Sequence, residues 1–162
     1  MTTIQFYHLT ATPLERALPK ILEKALAAGF KTLLVAESEE RTEQLNQLLW
    51  TYDPGSFLPH GSVKDGNIEQ QPILICSSAE SPEILCSRLR ASQDGKILLA
   101  VTNGAMPEQP EAFARILDIF DGNDAQTVEK ARNRWKLYKD SGYSISYLRQ
   151  NGSGSWEQKA VA

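Results

Sequence analysis

The feature that most constrains this chain is a series of short apolar runs separated by segments with helical spacing. Residues 31–37 (KTLLVAE), 72–76 (PILIC) and 96–101 (KILLAV) are mainly apolar, as expected of strands covered on both faces. Residues 3–9 (TIQFYHL) have the aromatic and β-branched residues of another strand. Residues 113–120 (FARILDIF) fit either state, and their β-branched and aromatic end favours a strand. This alternation predicts an α/β domain with a mostly parallel central sheet flanked by helices.

Local signals predict where the helices between these strands begin and end. The first helix contains Pro19, which predicts a kink or a later start, and Gly29 predicts its end. Ser38 is a candidate N-cap for the second helix. Residues 81–92 predict a short third helix, and the last predicted element is a helix over about residues 125–141.

The length and composition indicate one domain. The 162 residues are 41% hydrophobic, which is enough for one well-buried core. Residues 149–162 contain Gly, Ser and Gln without periodicity, so we expect a flexible tail after a domain of residues 1–148. Cys76 and Cys86 read as reduced thiols, and no apolar run approaches the roughly 18 to 20 residues of a membrane span. We expect a soluble, cytoplasmic protein without an export signal.

Open α/β sheets often bind nucleotides, but the loops of this chain lack the necessary chemistry. The second strand leads into residues 36–41 (AESEER), which contain no glycine and bring three glutamates to the place where a phosphate would lie. The first strand leads into residues 9–13 (LTATP), which also lack glycine. The glycine-rich phosphate-binding motifs and the G-x-S-x-G nucleophile motif do not occur.

The two histidines give little support to an enzymatic reading. His8 with Cys76, or His60 with Asp65, would be proposed as catalytic pairs only because the chain has so few histidines. We therefore expect His8 to be a strand residue and His60 a loop residue. We expect no catalytic residue, no metal site and no cofactor.

Residues 130–139 contain five basic and no acidic side chains, although the chain has a net charge of -3. On a helix, Arg132, Lys136 and Lys139 form a basic stripe beside an apolar one, with Trp135 at the border. This pattern suits a short acidic peptide that ends in an apolar residue. Arg132 would bind a carboxylate through two parallel hydrogen bonds, and the Trp135 ring would form a wall for the apolar side chain.

Other readings of this helix stay open at this point. Phosphate is a competing ligand, and a direct single-stranded nucleic-acid-binding module is the main functional alternative. The structural alternative is a solvated helix whose basic residues complement its dipole.

Residues 48–61 (LLWTYDPGSFLPHG) form a second notable segment. Trp50, Tyr52, Phe57 and Leu58 crowd the end of a helix and a loop rich in Pro and Gly. Such an apolar loop either folds back onto the core or meets a partner, and both readings remain open.

Three segments of the sequence resemble the chi subunit family of bacterial DNA polymerase III. They are residues 3–9 (TIQFYHL), residues 31–61 and residues 130–146 (KARNRWKLYKDSGYSIS). The most specific parts are W…FLPH and AR..[WY]K.Y…G[YF]. The resemblance implies a non-catalytic accessory subunit of the polymerase holoenzyme, with a nucleotide-binding-like fold that binds no nucleotide.

The resemblance also implies partners and site residues. Members of this family pair with the psi subunit and thereby link the clamp-loader complex to the acidic C-terminal tail of single-stranded-DNA-binding protein, which ends in Pro-Phe. Their contact with DNA is thus indirect. Arg132, Trp135 and Lys136 match the family positions that bind the tail, and Trp50 and Phe57 match the aromatic pair associated with psi.

Two positions depart from the family pattern near the predicted tail site. Val128 stands where a lysine often precedes the arginine by one turn, and Trp135 stands where a tyrosine is more usual. The indole keeps the apolar wall and lacks the hydroxyl.

Overall fold

The computed structural model describes residues 2–52, 59–62, 71–77, 82–92, 97–102 and 107–161. Strands and helices alternate along most of the chain. The elements are β1 (Thr3–Leu9), α1 (Leu14–Ala27), β2 (Lys31–Ala36), α2 (Glu39–Thr51), β3 (Gly61–Ser62), β4 (Ile73–Ser77), α3 (Pro82–Ser92), β5 (Ile97–Thr102), β6 (Arg115–Asp121), α4 (Ala125–Asp140), β7 (Ser144–Gln150) and β8 (Trp156–Val161).

Within the described residues the strands form one eight-stranded sheet in the order β3-β4-β2-β5-β6-β1-β7-β8. All neighbouring strands are parallel except β7 and β8, which are antiparallel. The prediction of an α/β domain with a mostly parallel sheet is confirmed.

The helices follow their local signals with one exception. The Ser38 hydroxyl oxygen accepts a hydrogen bond from the Arg41 backbone N–H at 3.1 Å, so the predicted N-cap is confirmed. Gly29 adopts a positive φ of 87° just after α1, as a helix stop requires. A later helix start at Pro19 was wrong. Helix α1 begins at Leu14 and continues through Pro19, which is buried.

The sheet separates two hydrophobic clusters. One cluster joins the sheet to α3 and α4 and includes Phe6, Cys86 and Tyr138. The other joins the opposite face of the sheet to α1 and α2 and includes Leu18 and Leu45. Helices α1 and α4 therefore lie on opposite faces of the sheet.

The structure corrects the prediction that α4 is the last element and that residues 149–162 lack regular structure. The predicted boundary at residue 148 falls inside β7, and β8 pairs with β7 from Trp156 onward. The turn between these two strands is held by hydrogen bonds to a side chain, which the hydrophobic pattern of the sequence does not reveal. The Asn151 carbonyl Oδ1 accepts hydrogen bonds from the backbone N–H groups of Ser153 and Ser155, both at 3.0 Å. Trp156 then packs edge-on against Tyr7 at 5.0 Å.

A buried ion pair attaches α4 to the sheet. Asp118 in the middle of β6 is 1% exposed, and Arg134 of α4 is 7% exposed. Arg134 donates two hydrogen bonds to the Asp118 carboxylate, Nε to Oδ2 at 2.6 Å and Nη2 to Oδ1 at 2.9 Å. Burial raises the pKa of Asp118, and Arg134 opposes that rise. Each of these side chains therefore depends on the other for its place in the core.

Replacement of Arg134 with Met should lower the free energy of unfolding by about 3–5 kcal/mol, because it leaves the Asp118 carboxylate buried without its partner. Chemical denaturation measures this change. Lys139→Met, at an exposed position of the same helix, is the matched control and should change the free energy by less than about 0.5 kcal/mol.

The double variant Asp118→Leu/Arg134→Met removes both charges and should recover most of the loss. A loss of less than about 1 kcal/mol in the single variant would contradict this role of the ion pair.

Candidate functional site

Helix α4 carries the predicted tail-binding residues, and its packing decides which of them are accessible. Ala131, Arg134 and Tyr138 are buried against the sheet, and Trp135 is half-buried. Asp124 caps the N-terminus of the helix, where its carboxylate accepts hydrogen bonds from the Gln126 N–H and the Thr127 hydroxyl. The core-facing side of the helix thus includes Arg134, which the sequence pattern had grouped with the other basic residues of 130–139.

The basic stripe predicted from the sequence is exposed. The side chains of Arg132, Lys136 and Lys139 all face solvent. Among the residues that the structure describes, no carboxylate lies within ion-pair distance of Arg132 or Lys136. Both cations are therefore available to an acidic ligand.

Trp135 is held in a fixed orientation beside this stripe. Its ring packs edge-on against Phe6 at 5.7 Å and against Tyr147 at 5.6 Å, with interplanar angles of 75° and 83°. Edge-on packing on two sides immobilises the indole. The partly exposed indole therefore forms a rigid apolar wall next to the cations.

The structure adds three side chains that sequence reasoning did not include in the site. His8, at the end of β1, forms a 2.6 Å hydrogen bond between its Nδ1 and the Tyr147 hydroxyl. In the parallel pairing of β1 with β7, His8 lies opposite Arg149 and Phe6 lies opposite Tyr147, so these side chains share the α4 face of the sheet. The alternation in SISYLRQ was the signal that would have placed Tyr147 and Arg149 on a strand.

Two arginines from different elements act on the same imidazole. Burial lowers the pKa of His8, and the charges of Arg149 and Arg132 lower it further. The same two cations oppose the rise that burial causes in the pKa of Tyr147. Positive charge from α4 and from β7 therefore meets near the carboxyl ends of β1 and β7. Ligands of open α/β sheets commonly bind beyond these strand ends.

The turn between β6 and α4 passes directly over His8. Gly122 donates a backbone hydrogen bond to the Leu9 carbonyl at 2.7 Å, and a Cβ atom at this position would lie 2.2 Å from the His8 ring. Only glycine permits this approach. The turn therefore limits the movement of the imidazole.

The loop between β1 and α1 has its backbone donors occupied by a side chain. Gln150 Oε1 accepts hydrogen bonds from the N–H groups of Thr10, Ala11 and Thr12 at 3.1, 3.0 and 3.1 Å. Its amide nitrogen donates to the Thr12 hydroxyl at 2.8 Å. In nucleotide-binding sheets, backbone N–H groups at this strand–helix turn hold a phosphate. Here an uncharged side chain of the protein holds them.

Trp50 lies at the end of α2 and is 55% exposed. Its ring contacts the ring of His60, which is buried and lies 3.1 Å from the Asn46 carbonyl oxygen through Nε2. Phe57, the second residue predicted for the psi contact, lies outside the described residues. Since α2 and α4 cover opposite faces of the sheet, Trp50 and Arg132 belong to separate surfaces.

Two general features complete the description. In the described part of the chain, no group of three or more His, Cys, Asp and Glu side chains is arranged to hold a metal ion. No helix in the described ranges combines the length and apolar character needed to cross a bilayer.

The fold and the site together define an α/β protein with a mostly parallel sheet, whose exposed cations lie on a helix beside an aromatic ring. The family model for the DNA polymerase III chi subunit, HolC, matches residues 1–146. The chain belongs to this family, and it is an accessory subunit in DNA replication.

Relatives from three bacteria carry the same family name. The chain is 32% identical to a probable DNA polymerase III subunit chi of Rickettsia prowazekii, over 99% of this chain and 93% of the relative. It is 28% identical to DNA polymerase III subunit chi of Haemophilus influenzae, over 89% of this chain and 94% of the relative. Identity to DNA polymerase III subunit chi of Escherichia coli is 24%, over 82% of each chain.

The electrostatic coupling of Arg149 to His8 is testable by titration. In the folded protein we expect His8 to titrate below the ordinary histidine pKa of 6.5, and replacement of Arg149 with Ala should raise its pKa because a nearby positive charge is removed. Two-dimensional NMR of the imidazole measures this pKa. The His8 imidazole of the unfolded chain then becomes protonated at a higher pH than that of the folded chain. Protonation of His8 should therefore lower the free energy of unfolding as the pH falls below about 6.5.

Lys139→Ala removes a positive charge from the same helix as Arg132 and is the control, since Lys139 is not among the groups that act on His8. An unchanged His8 pKa in both Arg149→Ala and Arg132→Ala would show that these cations do not converge on the imidazole.

Proposed function

We propose that this chi-family protein is a non-catalytic adaptor. It links the clamp-loader complex, through the psi subunit, to the acidic C-terminal tail of single-stranded-DNA-binding protein. The surface around Arg132, Trp135 and Lys136 binds the tail, and the surface around Trp50 and Phe57 binds psi. In this role it binds proteins, and its contact with DNA is indirect.

The main observation that supports the tail site is the exposed Arg132 guanidinium next to the Trp135 indole, which is packed on two sides. Arg132 is free of carboxylate partners in the described ranges, and Trp135 is braced by Phe6 and Tyr147. A terminal carboxylate would accept two hydrogen bonds from the guanidinium, while the adjoining phenyl ring packs against the indole. An acidic tail gains further from the positive potential of Lys136 and its neighbours.

Arg149 supplies a positive charge near the site, where this chain has Val128 in place of the lysine of the family pattern. Val128 is half-buried against the core and offers no charge. Arg149 is exposed on β7, and its charge reaches the same His8 and Tyr147 side chains as that of Arg132. We therefore assign Arg149 the part of the second cation in the tail site.

The psi contact is supported by the exposure of Trp50 at the end of α2. Exposed tryptophans are common energetic centres of protein interfaces. A large, partly exposed ring on the face opposite α4 allows one chain to hold two partners at the same time.

Replacement of Arg132 with Ala should weaken tail binding about ten- to a hundredfold, which corresponds to roughly 1.5–3 kcal/mol for a hydrogen bond to a charged group. Fluorescence anisotropy with a labelled acidic peptide ending in Pro-Phe measures the affinity. Amidation of the peptide C-terminus should cause a comparable loss in the unmodified protein and little further loss in the variant.

Lys130→Ala removes a positive charge from an exposed position of the same helix, about 160° around its axis from Arg132, and is the matched control. Tail affinity that is unaffected by Arg132→Ala removes this residue from the site. Tight binding of a single-stranded oligonucleotide to the isolated protein, lost in the Arg132 variant, would favour the direct nucleic-acid-binding alternative.

Trp50→Ala should reduce co-purification of the psi subunit while leaving tail affinity unchanged, because the two surfaces lie on opposite faces of the sheet. Phe57→Ala is expected to act in the same way. The control is Leu137→Ala, which removes another exposed hydrophobic side chain, 53% exposed, from α4. Full retention of psi by the Trp50 variant would return this ring to a purely structural role.

A further inference from the structure

A second basic groove lies between α1 and the C-terminal strand, on the face of the sheet opposite α4. It consists of two adjoining cavities of about 310 and 230 Å³. Ile21, Lys24 and Trp156 line both cavities, so the two spaces form one continuous groove along the helix. Trp156 belongs to β8, which lies beyond the residues matched by the family model.

The groove is lined by cations and by no carboxylate. Arg16, Lys20 and Lys24 come from successive turns of α1, and Arg115 comes from β6. None of these four has a carboxylate within ion-pair distance among the described residues. In a chain with a net charge of -3, this local concentration of positive charge favours an anionic ligand.

The acidic residues of α1 are engaged on the other side of the helix. Glu15 forms a 2.6 Å ion pair with Arg41 of α2, and Glu23 accepts a hydrogen bond from the Tyr52 hydroxyl. Because both carboxylates have partners toward α2, they do not neutralise the positive charges of Arg16, Lys20 and Lys24 on the side of the groove.

The floor of the groove is apolar. It is formed by Tyr7, Leu98, Leu117 and Leu148 from four neighbouring strands, and Trp156 closes one side by packing edge-on against Tyr7. Such an apolar floor favours contact with an apolar side chain over contact with a phosphate group. The groove therefore combines a charged wall with an apolar base.

The groove is formed before any ligand arrives. The Gln150 side chain attaches the end of β7 to the loop before α1 through the backbone N–H groups of Thr10, Ala11 and Thr12. Its amide also donates to the Gly154 carbonyl within the hairpin turn. A rigid groove loses little conformational entropy on binding, which favours affinity.

From these observations we infer that the groove binds an extended acidic peptide segment carrying apolar side chains between its carboxylates. Carboxylates two residues apart on a strand are about 7 Å apart, close to the rise of about 6 Å between Arg16, Lys20 and Lys24 along α1. An intervening apolar side chain enters the cavity over Tyr7 and Leu148. This binding mode goes beyond the proposed tail site, because no terminal carboxylate is needed and α4 takes no part.

The test uses a fluorescein-labelled nine-residue peptide of alternating Asp and Leu with an amidated C-terminus. Amidation removes the group that Arg132 is proposed to bind. We expect saturable binding in fluorescence anisotropy and at least a tenfold loss of affinity in Lys20→Glu/Lys24→Glu. Both lysines are exposed, so the variant is expected to keep its fold, which circular dichroism and the melting temperature verify. Lys130→Glu/Lys139→Glu makes the same change of charge at two exposed positions of α4 and should alter the affinity less than twofold.

Absence of saturable binding, or equal losses in the two double variants, would overturn the proposal. The proposal would also be overturned, in favour of nucleic acid, if a nine-nucleotide oligothymidylate bound more tightly than the peptide and this binding were lost in the Lys20/Lys24 variant. The Pro-Phe tail peptide should still bind the Lys20/Lys24 variant. Failure at this groove is therefore distinguishable from failure at the α4 site.

Discussion

The buried pair of Asp118 and Arg134 is the interaction on which the functional surface depends. A carboxylate in the middle of β6 requires a charged partner, and α4 satisfies it with a bidentate contact. This contact fixes the rotation of α4 about its axis. Arg132 precedes Arg134 by two residues and therefore points about 160° away from it, toward solvent. A buried ion pair gives modest net stability, but here it specifies which basic residues remain at the surface.

The sheet separates two surfaces that carry different side chains. The α4 face carries the exposed basic stripe and the Trp135 ring, and the α2 side of the other face carries the exposed Trp50. Between them lie two hydrophobic clusters packed on a continuous sheet. Because the two surfaces lie on opposite faces of one sheet, occupation of one would leave the other accessible.

The first strand–helix turn, which holds a phosphate in many open α/β sheets, is occupied by a side chain in this protein. Gln150 occupies the backbone donors of the first strand–helix loop, so an anion at that turn would have to displace a side chain with several good hydrogen bonds. The same glutamine positions the hairpin that brings Trp156 over Tyr7. The buried Gln150 amide therefore contacts both the first strand–helix loop and the β7–β8 turn. Fold and function are separable because loops and edge strands decide the chemistry.

The sequence by itself determined the strand and helix alternation, the Ser38 cap and the stripe of Arg132 and Lys136, because these follow from local spacing. Tertiary structure decided the rest. Arg134 is buried because Asp118, sixteen residues earlier, lies opposite it, and helical spacing alone does not reveal a charged partner. Strands β7 and β8 were missed because an edge hairpin is held by side-chain hydrogen bonds and needs no apolar run. Arg149 lies on β7, which the sequence reading missed. Only the assembled sheet could therefore place Arg149 and His8 next to each other and near Arg132.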